Sequence, residues 1–75
     1  MDPSRPLDAL NNNRDKQVVV ELKNGRRFRG ILKSFDIHIN TVLFSAQELG
    51  VEKQELGMVF IRGDTIQVLY PEAKQ

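Results

Sequence analysis

The stretch QVVVELKNGRRFRGIL, residues 17–32, decides the fold. Its first part alternates between apolar and polar residues, which predicts a half-buried β-strand. The residues expected to face the core are Val18, Val20 and Leu22. Val19 falls on the opposite, otherwise polar face, where a single exposed valine is ordinary. The dipeptide Asn24-Gly25 comes next and is a strong signal for a β-hairpin, so the stretch predicts two antiparallel strands joined by a tight turn.

The second strand carries a change of phase that predicts a sharp bend. Phe28, Gly30 and Leu32 mark its inward side. Beyond Lys33-Ser34 the apolar side is carried instead by Phe35 and Ile37. A slip of one residue indicates a β-bulge or bend, and a glycine in a strand permits strong curvature. A strongly bent second strand is what a small barrel requires.

Outward from this hairpin the chain predicts one short helix and three more strands. The helix occupies residues 6–13, because proline suits the first helical position and Asp8 suits the positive N-terminus. The strands lie near residues 41–47, 56–61 and 65–70. The side chains expected to share a face are Val42, Phe44 and Ala46 in the third strand, and Ile66, Val68 and Tyr70 in the fifth.

The fourth strand contains four apolar residues in a row, Met58–Ile61, which would bury both of its faces. Met58 and Phe60 need one cover, and Val59 and Ile61 need another. A chain of 75 residues has one core, so a neighbouring subunit is the simplest second cover. The order of elements predicts a mainly β fold in a single domain over residues 1–75: an N-terminal helix, then a strongly bent five-stranded antiparallel small barrel of SH3-like type, connected as a meander.

Composition narrows the function classes. The chain has no cysteine and one histidine, so neither disulfides nor a structural zinc site is expected. Eleven basic and ten acidic residues leave a net charge of +1, which gives no general attraction for nucleic acid. The longest apolar run is far shorter than the ~20 residues of a membrane span, and no signal-peptide core opens the sequence. We expect a cytoplasmic protein that has no membrane partner.

Catalytic chemistry has little support in the sequence. His38 and Asp36 could imitate a base and its orienting carboxylate, but no nucleophile accompanies them. There is also no glycine-rich phosphate loop. We therefore expect no enzyme activity, no catalytic residue, no cofactor and no metal.

Two segments at strand ends carry an unusual set of polar side chains. FDIHIN, residues 35–40, alternates polar and apolar residues as it enters a turn, and IRGD, residues 61–64, precedes another turn. Chemistry alone leaves open a structural interpretation, because Asp, Asn and Gly are common in turns. Side by side, however, the two segments would offer an imidazole, a guanidinium plane, an amide and backbone N–H groups. Proteins use such groups to stack on and read the bases of single-stranded RNA.

These segments belong to a longer resemblance. LKNGRRFRGILKSFDIHINTVLFSAQE, residues 22–48 within a region 17–48, resembles the first motif of the Sm/LSm family. LGMVFIRGDTIQVL, residues 56–69 within a region 56–70, resembles the second, and RPLDAL is similar to the family's N-terminal helix. The connection LGVEKQ is short, as in the archaeal Sm-like proteins, homologues of small nuclear ribonucleoproteins.

The resemblance implies a function and a site. The family forms rings, usually of seven subunits in archaeal members, with strands paired across subunits. It binds uridine-rich single-stranded RNA and takes part in RNA processing and ribonucleoprotein assembly. The positions that match its uridine pocket are His38, Asn40, Arg62, Gly63 and Asp64, with Asp36 in support. The implied roles are stacking of the base between His38 and Arg62 and reading of its edge by Asn40.

Alternatives to this interpretation stay open. A different SH3-like barrel could act as a scaffold for protein interactions, although such peptide grooves are lined by aromatic side chains and this chain has no Trp and one Tyr. Outside the pocket, the basic residues of the second strand suit either a solvated face or a second RNA-contacting surface. Those residues are Arg26, Arg27, Arg29 and Lys33. Arg5, beside the helix, is another candidate RNA contact.

Overall fold

A computed structural model describes residues 5–52 and 55–72. It contains one helix, five strands and a 3-10 helix, so the predicted mainly β fold with an N-terminal helix is confirmed. In chain order the elements are α1 (Pro6–Asn12), β1 (Gln17–Leu22), β2 (Arg27–Phe35), β3 (Thr41–Leu49), β4 (Glu55–Ile61), the 3-10 helix (Gly63–Thr65) and β5 (Ile66–Pro71).

The strands form one antiparallel sheet in the order β4-β3-β2-β1-β5. The first four strands are a meander, as expected, but β5 crosses back to pair with β1, placing Tyr70 opposite Val19. Strands β4 and β5 are therefore the two edges of the sheet in the part of the chain that is described. Each edge leaves backbone N–H and C=O groups available for another strand.

The predicted bend lies in β2. Its pairing with β3 shifts register twice, between Arg29 and Ile31 and between Leu32 and Ser34. Gly30 sits at the first shift, where an added Cβ would lie 3.1 Å from Leu43 Cβ and from the Phe44 carbonyl oxygen. The absence of a side chain at residue 30 thus lets β3 pack closely across the bent strand.

The core is a single cluster inside the bent sheet, closed at one end by α1. Its buried members are Leu10, Val18, Val20, Phe28, Leu32, Leu43, Ala46 and Ile61. The hairpin that opens the sheet turns at Asn24-Gly25 as predicted. Gly25 has a φ of +92°, and Asn24 Oδ1 accepts a hydrogen bond of 3.0 Å from the Arg26 N–H. Glycine adopts that left-handed conformation without steric cost.

Three predictions of orientation are wrong between β1 and β3. Val19 is buried, with 4% of its surface exposed, because its register partners Arg29 and Tyr70 flank it on the same face. Ile37 is 74% exposed in the turn after β2, whereas Phe35 packs against the core as expected. In β3 the residues predicted to share a face are divided, because Ala46 is buried together with Leu43 whereas Phe44 is exposed.

The reversal in β3 has a local cause. Ser45 adopts a φ of +54°, and the register against both neighbouring strands shifts around it. This bulge adds one residue to β3, so Leu43 and Ala46 both face the core although they are three apart. Phe44 is left exposed on the outer face.

In the two edge strands, the predicted burial of side chains agrees with the structure for β4 and only in part for β5. In β4, Val59 packs against the core and Ile61 is buried, while Met58 and Phe60 are 67% and 61% exposed, as their alternation predicted. In β5 the three residues predicted to share a face are divided: Ile66 packs against the core, whereas Val68 and Tyr70 are exposed. A register shift between Glu21 and Leu22 of β1 causes this, and it brings Leu69 against the core instead.

No helix within residues 5–52 and 55–72 is long and apolar enough to cross a membrane.

Candidate functional site

One cavity gathers the five site residues predicted from the sequence. It has a volume of about 400 Å³ and lies where the turn between β2 and β3 meets the 3-10 helix. Its lining residues are His38, Asn40, Arg62, Gly63 and Asp64. The first two come from one turn and the other three from a segment more than twenty residues later. The fold therefore builds a single site from both motifs.

Asp36 organises the first side of the cavity. One of its carboxylate oxygens, Oδ1, accepts hydrogen bonds from the backbone N–H groups of His38 (2.9 Å) and Asn40 (3.0 Å). The other, Oδ2, accepts a bond of 3.0 Å from Asn40 Nδ2. The Asn40 side-chain amide, and after it the backbone N–H groups of His38 and Asn40, hold the pKa of Asp36 below its usual value of 3.8. Asp36 is thus an ionised anchor for this turn, which fits its predicted supporting position.

Asn40 joins the two sides of the cavity. Its Oδ1 accepts a hydrogen bond of 2.7 Å from the Gly63 N–H, while its Nδ2 donates to Asp36. These two bonds fix which end of the amide is oxygen and which is nitrogen. An amide has two N–H donors and two oxygen lone pairs, so one donor and one acceptor remain for a ligand.

Gly63 is the point of closest approach between the two segments. A Cβ built at residue 63 would lie 1.8 Å from the His38 carbonyl oxygen and 2.8 Å from the Ile39 carbonyl carbon. Both separations are far shorter than an ordinary contact of about 3.5 Å between non-bonded heavy atoms. The hydrogen bond from Gly63 to Asn40 therefore depends on the absence of a side chain at residue 63.

Arg62 and Asp64 form the exposed rim. Arg62 Nη2 lies 2.7 Å from Asp64 Oδ2, and both side chains are mostly exposed to solvent. Such a surface ion pair contributes little to stability. It does restrain the guanidinium, and the Thr65 hydroxyl donates a bond of 2.7 Å to the Arg62 carbonyl oxygen, which steadies the backbone below it. His38 is exposed on the facing turn.

The arrangement suits recognition of a flat polar ligand. Two planar side chains, His38 and Arg62, border the same cavity as a fixed amide and a carboxylate. Planar groups stack on nucleobases, and an oriented amide can read the donor and acceptor groups on a base edge. Within residues 5–52 and 55–72 there is no group of three or more His, Cys, Asp or Glu side chains that could hold a metal ion.

The basic residues of the second strand are largely committed to ion pairs. Arg26 forms a bidentate pair with Glu48 at 2.8 and 2.9 Å, and this contact raises the pKa of the arginine and lowers that of the glutamate. Arg29 pairs with Glu72, and Lys33 with Asp15. These contacts favour the solvated-face interpretation of this strand over a second RNA surface.

Three residues near the cavity were not predicted from the sequence. Ile39 has a left-handed φ of +63°, Thr41 is fully buried with its Oγ1 donating 2.6 Å to the Ile39 carbonyl oxygen, and Thr65 supports Arg62. Threonine after a turn is common, and an isoleucine carries no signal of positive φ. None of the three could have been assigned from residue type alone.

A further cavity adjoins this site. An apolar groove of about 420 Å³ runs between α1 and β5, and Gly63 lines both spaces. Its other apolar lining residues are Pro6, Ala9, Leu10, Ile39, Ile66, Val68, Leu69 and Pro71.

Comparisons with known proteins agree with the sequence motifs. A family model described as the LSM domain matches residues 8–71. A relative from Archaeoglobus fulgidus, whose name places it with the snRNP Sm-like proteins, is 48% identical over an alignment of 71 positions that covers 92% of each chain. Among solved structures, the Pyrococcus abyssi Sm protein in complex with a uridine heptamer has a TM-score of 0.86 and 41% identity, covering 92% of this chain and 100% of that chain. The heptamer of P. aerophilum SmAP1 has a TM-score of 0.84 and 31% identity, covering 92% and 95%.

Proposed function

The chain belongs to the LSM domain family, and from this premise we propose that it is a ring-forming protein that binds uridine-rich single-stranded RNA. Each subunit supplies one base pocket. The observation that carries the proposal is the cavity in which both family motifs meet, lined by His38, Asn40, Arg62, Gly63 and Asp64. A structural relative of 41% identity was solved with a uridine heptamer.

The pocket residues take distinct roles in this proposal. The base stacks between the imidazole of His38 and the guanidinium of Arg62. The remaining donor and acceptor of the Asn40 amide meet the N–H and the adjacent carbonyl of uracil. Cytosine has an acceptor in place of that N–H, so the same amide would be left with unpaired groups. Gly63 fixes the Asn40 amide from behind, and Asp64 holds Arg62.

The ring follows from the two edges of the sheet. Strand β4 presents exposed Met58 and Phe60 at one edge, and β5 presents exposed Val68 and Tyr70 at the other. Pairing β4 of one subunit with β5 of the next would satisfy both edges and cover these apolar side chains. Repetition of one contact by rotation closes a ring, and P. aerophilum SmAP1 forms a heptamer. A homo-heptamer is the assembly we propose here.

The proposal extends to the cellular role. The protein acts as a binding module rather than an enzyme, needs no cofactor and works in the cytoplasm. Its task is RNA processing or ribonucleoprotein assembly. These points rest on membership of the family and on the pocket, whose side chains are equipped for stacking and hydrogen bonding.

Native mass spectrometry with and without a uridine heptanucleotide tests assembly and binding together. We expect one large species without RNA and the same species plus one RNA when it is added. Titration with uridine and cytidine heptanucleotides then measures selectivity. Asn40→Ala should weaken binding of the uridine heptanucleotide. It should also reduce the difference in binding free energy between the uridine and cytidine heptanucleotides by roughly 1–3 kcal/mol for each pocket used, by analogy with bidentate base contacts.

Asn24→Ala is the matched control, since it removes the same amide from an exposed turn away from the cavity. Its affinity and selectivity should equal those of the wild type. A folded monomer near 8.6 kDa, or equal affinity for the two oligonucleotides, would contradict the proposal.

A further inference from the structure

Ile39 adopts a backbone conformation that branched side chains avoid. Its φ of +63° lies in the left-handed region, where Cβ crowds the backbone, and a β-branched residue found there is an outlier. Such strain persists only where the surroundings hold it, and it concentrates at functional sites. Ile39 lies between His38 and Asn40, two residues that line the cavity.

The left-handed conformation of Ile39 sets the directions of three consecutive side chains, those of His38, Ile39 and Asn40. The turn is closed by hydrogen bonds from the Ile39 N–H to the Asp36 carbonyl oxygen (3.0 Å) and from the Asp36 N–H to the Asn40 carbonyl oxygen (3.2 Å). Within this turn His38 and Asn40 both border the polar cavity. The Ile39 side chain instead lines the apolar groove between α1 and β5 and packs against the core.

Two kinds of contact hold Ile39, and they have different requirements. Its carbonyl oxygen accepts a bond of 2.6 Å from Thr41 Oγ1, and its peptide lies against Gly63. These backbone contacts would hold any residue that tolerates positive φ, and Gly or Asn would do so with less strain. The packing against the core, by contrast, requires an apolar side chain, so it is the feature that explains an isoleucine here.

We propose that Ile39 is a positioning residue for the base pocket. Its side chain, packed against the core beside the groove between α1 and β5, holds the left-handed backbone that directs His38 and Asn40 towards one base. The role as base pocket rests on the proposed function, whereas the anchoring itself is a property of the protein without RNA. Through Ile39, the packing of the core sets the geometry of a site that the buried core residues do not line.

Two substitutions separate the side chain from the backbone. Ile39→Asn accepts the left-handed conformation but removes the apolar anchor, while Ile39→Leu keeps an apolar anchor without branching at Cβ. For each intact ring, two quantities are measured: the affinity for uridine monophosphate, and the hydrogen-exchange rate of the Gly63 amide, which donates to Asn40 Oδ1. The Leu22 amide, bonded to the Arg26 carbonyl oxygen in the distant hairpin, is the internal reference.

We expect Ile39→Asn to lose about tenfold in nucleotide affinity and to exchange the Gly63 amide about tenfold faster, with Leu22 unchanged, because only the local opening equilibrium is altered. Ile39→Leu should stay within about twofold of the wild type in both quantities. If Ile39→Asn does not assemble, Ile39→Ala replaces it with the same expectations.

A Gly63 amide that exchanges at the wild-type rate in the Asn or Ala variant would overturn the proposal, whatever the affinity. The outcome is separable from the proposed function. A wild-type ring that binds no uridine would refute the RNA-binding function, and the exchange rates would still decide whether Ile39 anchors the turn.

Discussion

Replacement of Gly63 by alanine is the sharpest perturbation that the site offers. The added methyl group would start 1.8 Å from the His38 carbonyl oxygen, whereas a relaxed carbon–oxygen contact needs about 3.3 Å. The two segments must therefore separate by roughly 1.5 Å. The obstacle is backbone, which cannot swing aside as the end of a flexible side chain could.

The separation should cost both stability and binding. The bond of 2.7 Å between the Gly63 N–H and Asn40 Oδ1 would be stretched beyond hydrogen-bond range. Its loss together with overpacking should lower the free energy of unfolding by about 2–4 kcal/mol per subunit. With the Asn40 amide released and Arg62 displaced, each pocket should lose stacking, for a drop in affinity of about tenfold or more per base.

Two assays measure these effects. Denaturant unfolding at fixed subunit concentration gives the stability change, since the stability of an oligomer depends on concentration. Titration with uridine monophosphate gives the affinity of a single pocket without the multiplying effect of linked sites. Gly25→Ala is the control: its φ of +92° makes alanine strained there, but nothing lies within 4 Å of the added Cβ. It should lose stability and keep wild-type affinity.

The reasoning is refuted if Gly63→Ala rings bind uridine monophosphate as well as the wild type does. That result would mean that the contact between the two segments is not needed to build the pocket.

Three further perturbations test Arg62 at the rim of the cavity, Phe60 at the proposed subunit contact, and the Asp36 carboxylate. Arg62→Lys keeps the positive charge but loses the planar guanidinium, so it should weaken binding of a long oligouridine far more than the control Arg27→Lys does. The salt dependence of binding should change little. If the Arg62→Lys ring and the wild type bind with equal affinity in titrations at two salt concentrations, the charge alone suffices. Phe60→Ser should cost about 1.5–3 kcal/mol at each subunit contact and shift sedimentation towards smaller species at low micromolar concentration. Phe44→Ser, on the interior strand β3, should leave the ring intact. The lowered pKa of Asp36 means that its carboxylate stabilises the folded state above pH 3.8, and that this contribution is lost as the pH falls through the lowered folded-state value. The free energy of unfolding of the wild type, measured with denaturant, should therefore exceed that of Asp36→Asn by a constant amount from pH 7 to about 5, and this difference should shrink below pH 3.8. A difference that does not change in acid would contradict this role.

Local patterns predicted the parts of the fold that depend on local chemistry. Alternation placed Val18 and Val20 in the core, Asn24-Gly25 formed its turn, and the phase slip at Lys33-Ser34 marked the bend. Each signal arises from residues close together in the chain. The burial of Val19 could not be found in this way, because the residues that flank it, Arg29 and Tyr70, belong to two other strands.

Bulges account for most of the remaining errors of orientation. One extra residue reverses the face of every side chain after it, and neither Ser45 nor the irregularity opposite Leu22 has a residue type that announces a bulge. The same limit applies to the site. Family motifs identified the five residues that line the cavity, but the left-handed conformation of Ile39 accompanies packing of its side chain against the core, which only the folded chain provides.

The span of chain between the two sides of the cavity has a consequence for protein synthesis. The Asn40 side chain accepts its hydrogen bond from Gly63, which lies 23 positions later in the chain. Strand β5, which follows Gly63, must in turn pair with β1 near the start of the chain. A chain still leaving the ribosome cannot complete the pocket until Gly63 and the following strand have emerged. Under the proposed function, unfinished subunits therefore cannot hold a base in this cavity, and binding of RNA there begins in the same step that finishes the domain.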